Sequence, residues 1–148
     1  MKRAIPLLAL VFACGGDDGE PMDGDVVITV GSSSISPGVG AALEDPDGPD
    51  DFVLLIGEEG IDCGTNLGEN VPKGTSFSAG LAGETGEQDT LGVVFRSSAG
   101  SLHLNGSSAM VRVDSLEDRV TGHIMFDTTD DDDGAITVVG TFDVKRCF

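Results

Sequence analysis

The sequence contains no tryptophan and no tyrosine, and phenylalanine is its only aromatic residue, with seven copies. A core must therefore be built from aliphatic side chains and Phe. Carbohydrate sites commonly use flat amphipathic rings on which a sugar stacks, and only Phe rings are available here. This absence weighs against a glycoside hydrolase. A pair of catalytic carboxylates cannot be recognised here either, because 26 acidic residues make chance pairs unavoidable.

Basic residues are also scarce. Eight Lys and Arg face 26 Asp and Glu in 148 residues, which gives a formal net charge of −18. So few cations cannot neutralise a run of phosphates, which excludes nucleic acid as a partner. The same charge removes electrostatic attraction to an anionic membrane surface. The length provides for a single domain with one core.

The first residues have the pattern of an export signal. Lys2 and Arg3 precede an apolar run, Ala4 to Ala13, that is much shorter than the roughly 20 residues of a membrane-spanning helix. A charged start, a short apolar middle and a small residue at its end are typical of a cleaved signal peptide. Residues 1–13 are therefore predicted to be removed.

The motif Val11-Phe12-Ala13-Cys14 resembles the lipobox of bacterial lipoproteins. In that family the cysteine is lipid-modified and becomes the first residue of the mature chain, which implies acylation of Cys14. Two or three acyl chains anchor a protein stably, whereas one chain binds only marginally. Gly15 follows where lipoproteins retained in the inner membrane often carry Asp, so the resemblance favours the outer membrane. Val-Phe-Ala also fits an ordinary secretory cleavage site, and a secreted soluble protein is the alternative.

Residues 14–25 join the lipid site to the rest of the chain. The stretch from Gly15 to Asp25 holds four Gly, five acids and one Pro. Met22 is its only large apolar residue, so the stretch lacks the surface that would offset its ordering entropy. It is predicted to be a flexible acidic tether of roughly 18 Å on average and about 36 Å at full extension.

Residues 26–148 show apolar residues with a period of two, in short runs separated by Gly, Pro, Asp and Ser. This pattern predicts a single all-β domain, and no window has a sustained helical stripe. Short strands at this spacing favour an antiparallel β-sandwich or a small β-barrel, and the pattern does not separate the two. The eight predicted strands are Val26–Val30, Phe52–Ile56, Thr75–Leu81, Leu91–Arg96, Ser101–Asn105, Ala109–Asp114, Arg119–Asp127 and Ala135–Cys147.

Three cysteines leave one pair once Cys14 is assigned to lipid. Cys63 and Cys147 lie in an exported, oxidising setting, which favours a disulfide bond between them. That bond would close a loop of about 84 residues, worth roughly 4 to 5 kcal/mol in the chain-entropy model. Redox or metal chemistry is the alternative, but the two thiols are far apart and form no CxxC motif.

Two acidic clusters are candidate calcium sites, because calcium takes six to eight oxygen ligands and clustered carboxylates can supply them. Neither cluster fits an EF-hand loop, since Pro49 interrupts the first and Gly140 stands where the second needs Glu. The other interpretation is a pair of solvated turns that keep a β-protein soluble and guard its edges. The candidate ligands are Asp45, Asp47, Asp50 and Asp51 in the first cluster, and Asp127, Asp130, Asp131, Asp132 and Asp133 in the second.

The sequence shows no pattern of a catalytic nucleophile, because none of its Ser-rich stretches forms a G-x-S-x-G elbow. His103 alternates with two leucines, and His123 alternates with Gly122 and Ile124. Both imidazoles are therefore predicted to point away from the main apolar face. Exposed histidines without a third nitrogen or sulfur ligand indicate surface residues. No residue is assigned a catalytic role.

These features together predict a non-catalytic, membrane-anchored lipoprotein of the cell envelope with a structural, adhesive or interaction role, similar to small acidic envelope lipoproteins of bacteria. The expected partners are a lipid membrane, through acylated Cys14, and a protein whose identity the sequence does not indicate. The chain is expected to be a monomer. The alternative function is a calcium-dependent ligand-binding β module that uses the acidic loops. An enzyme ranks third, and calcium is the only cofactor with any support.

Overall fold

The computed structural model describes residues 19–66, 69, 72–106 and 108–148. Over these residues the chain forms twelve strands and no helix, which confirms the all-β prediction. The predicted signal peptide and the motif ending at Cys14 lie outside the described residues. The strands are β1 (Asp23–Gly24), β2 (Val27–Val30), β3 (Ser33–Ile35), β4 (Val39–Glu44), β5 (Asp51–Glu59), β6 (Lys73–Ala82), β7 (Gly86–Asp89), β8 (Gly92–Ser97), β9 (Gly100–Asn105), β10 (Ala109–Leu116), β11 (Arg119–Asp130) and β12 (Gly134–Arg146).

The strands form one curled sheet with the order β7-β10-β11-β12-β4-β5-β6-β8-β9, a half-barrel. β1 and β2 also pair with β12, and β3 pairs with β2. Among the described residues every strand pairing is antiparallel except that of β12 with β4, which is parallel at Lys145–Ala41 and Arg146–Ala42. The sheet is therefore mixed at this one pairing, where the sequence pattern predicted antiparallel strands. Local hairpins produce antiparallel neighbours, whereas β4 and β12 meet only after the chain has passed through seven other strands.

Short connections force the sheet to curl. Only Thr90 and Leu91 separate β7 from β8 along the chain, although these strands are seven positions apart in the sheet order. Seven strand spacings in a flat sheet would measure about 34 Å, whereas three Cα–Cα steps reach at most about 11 Å. The two ends of the sheet must therefore approach each other. Across the interior, the ring centroids of Phe77 on β6 and Phe126 on β11 lie 5.2 Å apart.

The interior is filled by the inward-facing side chains of both halves of the sheet. The period of two predicted from the sequence is confirmed in β11, where Ile124 and Phe126 are buried while His123 and Met125 are exposed. Phe supplies the largest of these interior side chains, as the absence of Trp and Tyr requires. The fully buried Phe residues are Phe52, Phe77, Phe95, Phe126 and Phe142.

Thr90 joins the two chain connections that cross between the ends of the sheet. Its side chain is buried, and its hydroxyl donates to the carbonyl of Gly106 at 3.3 Å. The same hydroxyl oxygen accepts the backbone amides of Ser108 at 3.3 Å and Ala109 at 3.2 Å. The Thr90 amide donates to the Ala109 carbonyl at 3.2 Å. One threonine thus ties the β7–β8 connection to the β9–β10 connection.

Two further side chains link separated parts of the sheet. On β7, Gln88 Oε1 accepts the backbone amide of Ala82 at 2.8 Å, and its Nε2 donates to the carbonyl of Glu84 at 3.0 Å. At the end of β8, the hydroxyl of Ser97 lies 2.8 Å from each carboxylate oxygen of Asp133, in the turn between β11 and β12. These contacts stabilise the curled sheet, because Gln88 reaches from β7 to β6 and Ser97 from β8 to the β11–β12 turn, and these strands are not neighbours in the sheet order.

The substitution Thr90→Val should destabilise the protein by about 1–3 kcal/mol, because it leaves buried backbone groups at this corner without their hydroxyl partner. Urea denaturation monitored by circular dichroism measures the change. Thr90→Ser is the matched control, since it keeps the hydroxyl and removes only a methyl group, and it should cost less than Thr90→Val. Equal stability of Thr90→Val and the unmodified protein would contradict this role of the hydroxyl.

A disulfide bond joins Cys63 and Cys147, with Cα atoms 5.3 Å apart, as predicted. The bond joins two cysteines that are 84 residues apart in the sequence, and it fixes the end of β12 to the loop after β5. The bond lies beside a second, smaller hydrophobic cluster on the outer side of β4 and β5. This cluster consists of Val39, Ala41, Leu43, Leu55 and Ile61, with Cys147 packed against it.

The predicted flexible tether is wrong for its last seven residues, 19–25, which lie on the sheet. The amide of Glu20 donates to the carbonyl of Ile61 at 2.6 Å, and the carbonyl of Glu20 accepts the amide of Gly40 at 3.0 Å. Lys145 Nζ lies 2.9 Å from Glu20 Oε1. Met22 packs against the main core, and β1 pairs with β12. The ordered domain therefore includes residues that the sequence pattern assigned to the tether.

Two glycines explain why the composition of residues 19–25 indicated a flexible tether although these residues lie on the sheet. Gly19 and Gly24 have φ angles of 101° and 118°, values that favour glycine. A Cβ atom on Gly19 would lie 2.4 Å from the carbonyl oxygen of Ile61, and one on Gly24 would lie 2.2 Å from that of Thr141. These glycines allow close backbone contact with the sheet, and backbone hydrogen bonds supply the stabilisation that apolar side chains do not.

Candidate functional site

An exposed row of apolar side chains crosses the outer face of the sheet. Met110 on β10 lies opposite Met125 on β11, which lies opposite Val139 on β12, which lies opposite Val27 on β2. Their exposed fractions are 41%, 58%, 48% and 39% in that order. Outward positions of a half-solvated antiparallel sheet are normally polar. These four residues, called the apolar row below, are the largest departure from that rule on this face.

A polar row runs beside the apolar row on the same face, two residues away along each strand. Glu87 on β7 lies opposite Arg112 on β10, which lies opposite His123 on β11, which lies opposite Thr141 on β12. Asp25 follows β1 and bonds to Thr141. The outer face therefore places charged groups directly next to exposed apolar side chains.

A carboxylate bridges two of the residues in the polar row. Asp114 Oδ1 lies 2.8 Å from Arg112 Nε, and Asp114 Oδ2 lies 3.2 Å from His123 Nε2. Asp114 has no cross-strand partner, because the register between β10 and β11 shifts between Val113 and Ser115. A bulge of this kind redirects a side chain. All three groups are about half exposed, so the pairs contribute little to stability and act mainly by fixing orientation.

The two rows enclose a shallow hollow of about 200 Å³, called the outer hollow below. It brings together two thioethers, one imidazole, one guanidinium and one carboxylate. Neither of the two acidic clusters considered for calcium contains this combination. Its lining residues are Glu87, Met110, Arg112, His123, Ile124 and Met125.

Asp25 is held at the end of the polar row by Thr141. Its Oδ1 accepts the backbone amide of Thr141 at 2.6 Å and the hydroxyl of Thr141 at 2.7 Å. These two bonds, the amide first, lower the pKa of Asp25 below its usual value of 3.8, because both stabilise the charged form. The interaction joins the segment before β2 to the middle of β12.

The substitution Asp25→Asn should lower the melting temperature at neutral pH, and the difference should disappear in acid. A carboxyl group whose pKa is lower in the folded state contributes stability above its unfolded pKa, near 3.8, and loses it as the pH falls through the folded pKa. The melting temperatures of the two proteins should therefore differ by a constant amount above about pH 5 and converge below pH 3.8.

Thr141→Val is the matched control for this pH dependence. It removes the hydroxyl donor and keeps the backbone amide, which is the larger cause of the lowered pKa of Asp25. This variant should retain most of the acid-dependent loss of stability. A melting-temperature gap between Asp25→Asn and the unmodified protein that persisted at pH 2 would disprove the assignment.

The structure places the predicted acidic clusters in two separate regions, each a turn with part of an adjoining strand: Asp51 begins β5, and Asp127 and Asp130 lie in β11. The first occupies the β4–β5 connection, where Asp45 Oδ1 accepts the amide of Asp47 at 2.9 Å. The second lies at the β11–β12 hairpin, where Asp133 accepts the hydroxyl of Ser97. In residues 19–66, 69, 72–106 and 108–148, no group of three or more His, Cys, Asp or Glu side chains is arranged to hold a metal ion. Calcium binding by these loops stays a prediction.

Both histidines lie on the outer surface, as their alternation predicts. His103 is exposed on β9, at one end of the sheet order, and His123 is exposed on β11, near the other. They are not neighbours in the sheet and do not form a shared ligand pair across adjacent strands. Only His123 lines the outer hollow.

The apolar row was missed at the sequence level, although it leaves a signal there. Where a half-buried strand alternates, an outward apolar residue appears as two or three consecutive apolar positions. Such runs occur at Val26-Val27, Ile124-Met125-Phe126 and Val138-Val139. The pairing register, which places these positions in one line, is a property of the folded chain.

Comparison with protein-family models, with curated proteins and with solved structures found no match to this chain. The part of the chain that the structure describes includes no helix long and apolar enough to cross a membrane.

Proposed function

We propose that this protein is a non-catalytic lipoprotein of the bacterial cell envelope, anchored through Cys14, whose β-domain binds a partner protein through the apolar row. The exposed row is the observation that carries the binding role. The resemblance of Val11-Phe12-Ala13-Cys14 to a lipobox supports the anchor. The outer membrane is the proposed location.

The contact of Gly19 with the domain limits how far the domain would extend from such an anchor. Gly19 forms an isolated bridge with Ile61, so four residues separate Cys14 from this contact. The five Cα–Cα steps from Cys14 to Gly19 span at most about 17 Å, about half the reach that the whole predicted tether would have. Gly19 lies near the loop that carries Cys63, so we propose that this end of the domain faces the membrane.

The substitution Cys14→Ser should move the protein from the membrane fraction to the soluble fraction, because the acylated residue is removed. Fractionation of cells followed by immunoblotting measures this change. Metabolic labelling with an alkyne fatty acid should mark the unmodified protein and not the variant. Unchanged fractionation together with labelling of Cys14→Ser would disprove the anchor.

The surroundings of the apolar row indicate the chemistry of its partner. Four carboxylates border the row, Glu87, Asp89, Asp25 and Asp127, while Arg112 is the cation beside it. Methionine side chains adapt to different apolar surfaces because they have three rotatable bonds. The complementary surface is an apolar patch surrounded by Lys or Arg, and the large excess of Asp and Glu over Lys and Arg would steer such a partner toward the domain.

A photo-crosslinking amino acid at position 139 should produce one protein adduct in intact cells, because Val139 lies at the centre of the row. The same group at Ser101, exposed on β9, is the control and should not produce that adduct. Val27→Asn, combined with the crosslinker at position 139, should reduce the amount of adduct. Thr29→Asn, two residues further along β2, should leave it unchanged. In an extract, raising the salt concentration should also reduce it, because charge steering is screened.

Two outcomes would contradict the proposed binding role. One is the same adduct from positions 101 and 139. The other is an adduct at position 139 whose amount does not respond to Val27→Asn. Either result would mean that contact at Val139 is nonspecific.

A further inference from the structure

Two methionines and a histidine meet at the outer hollow. Met110 and Met125 form a directly opposed pair on β10 and β11, and His123 lies two residues from Met125 on the same face. The chain has only four Met and two His, so half of each type lies here. Neither thioether is required for the core, because both side chains are exposed.

The spacing of these three residues allows their donor atoms to converge. Directly opposed residues in an antiparallel pair have Cβ atoms about 4.5–5.5 Å apart, and diagonal neighbours lie about 7–8 Å apart. Methionine has three rotatable bonds, so each sulfur can turn toward the hollow from its own strand. The sheet holds the backbone, and the flexible thioethers adapt to the size of an ion.

The imidazole of His123 is already oriented by a carboxylate. Asp114 Oδ2 lies 3.2 Å from Nε2, so in the neutral imidazole the proton belongs on Nε2 and the lone pair on Nδ1. Asp114 is in turn held by Arg112 at 2.8 Å. Histidines that ligate metals usually donate their other ring N–H to a carboxylate in this way. The bulged position of Asp114 therefore acquires a specific role, as a positioning residue for His123.

We propose that the outer hollow binds a soft monovalent metal ion, Cu(I), through Met110 Sδ, Met125 Sδ and His123 Nδ1. Thioethers select Cu(I), and imidazole also suits copper, whereas calcium and magnesium take oxygen ligands. Two carboxylates, Glu87 and Asp114, against one guanidinium, Arg112, give the surroundings a net negative charge that suits a monovalent cation. This site is separate from the acidic turns considered for calcium and goes beyond the partner-binding role of the row.

Binding can be observed directly with Ag(I), which has the same ligand preferences and needs no reductant, so the Cys63–Cys147 disulfide stays intact. The full chain carries Cys14→Ser in every sample, because a free thiol would compete for the ion. With methyl-labelled methionine, in chloride-free buffer, NMR should show two methyl resonances that shift and saturate at one equivalent of Ag(I). Met110→Leu and Met125→Leu assign those two signals, and the Met22 signal should not move.

Competition with a chromophoric Cu(I) chelator, in the presence of ascorbate, measures the affinity. The variants Met110→Leu, Met125→Leu and His123→Gln should each weaken Cu(I) binding about tenfold or more, and Asp114→Asn should weaken it about tenfold. Asp114→Glu should restore part of that loss, since it keeps the carboxylate. His103→Gln and Met22→Leu are the matched controls and should bind as tightly as the parent chain.

Three results would overturn this site. The first is equal Cu(I) affinity in the parent chain and in all three ligand variants. The second is an Ag(I)-induced shift of Met22 as large as those of Met110 and Met125. The third is displacement of Cu(I) by millimolar calcium, which would indicate binding by carboxylates. Val139→Asn leaves all three donor atoms in place and should not change the affinity for Cu(I). A failure of the partner-binding proposal can therefore be distinguished from a failure of the Cu(I) site.

Discussion

The two-residue connection between β7 and β8 is the constraint on which the rest of the structure depends. Because Thr90 and Leu91 must bridge strands that are seven places apart, the sheet cannot lie flat. Curling brings the inner faces together, which allows a core without Trp or Tyr to be completed by Phe and aliphatic side chains. It also makes the opposite face convex and open to solvent, so the apolar row and the outer hollow lie where a partner or an ion can reach them.

A sequence pattern can identify strands that alternate between a buried and a solvated face, and short runs of strongly apolar residues. All eight predicted strands are present: β11 alternates clearly, whereas β5 was detectable as the apolar run Phe52 to Ile56 although it is buried on both faces. β4 was missed because Val39 to Leu43 are buried on both sides and include Gly40, Ala41 and Ala42, so the segment has neither an alternation nor the composition typical of a strand. β1, β3 and β7 are short and largely polar, and they exist because a neighbouring strand offers free backbone groups. The parallel pairing of β4 with β12 depends on the curl of the whole sheet.

The candidate site was harder to predict than the strands, for a related physical reason. The acidic turns stand out in the sequence because their residues are adjacent, yet Asp45 and Asp133 bond within the protein. Met110 and Met125 are fifteen positions apart in the numbering, and only the register of β10 with β11 makes them neighbours. Cys63 and Cys147 are the exception, since the predicted assignment of Cys14 to lipid left one pairing to consider, and the disulfide bond is present. Long-range register, and not composition, decides which side chains share a site.

The N-terminal segment and the disulfide together define a path for mechanical load. A force applied along the chain at Gly19 would first reach Glu20, whose amide is bonded to the carbonyl of Ile61. Two residues later Cys63 joins that loop covalently to Cys147 at the end of β12, the strand that pairs with β1, β2, β4 and β11. If the chain is anchored as proposed, tension would therefore pass into the most extensively paired strand of the sheet.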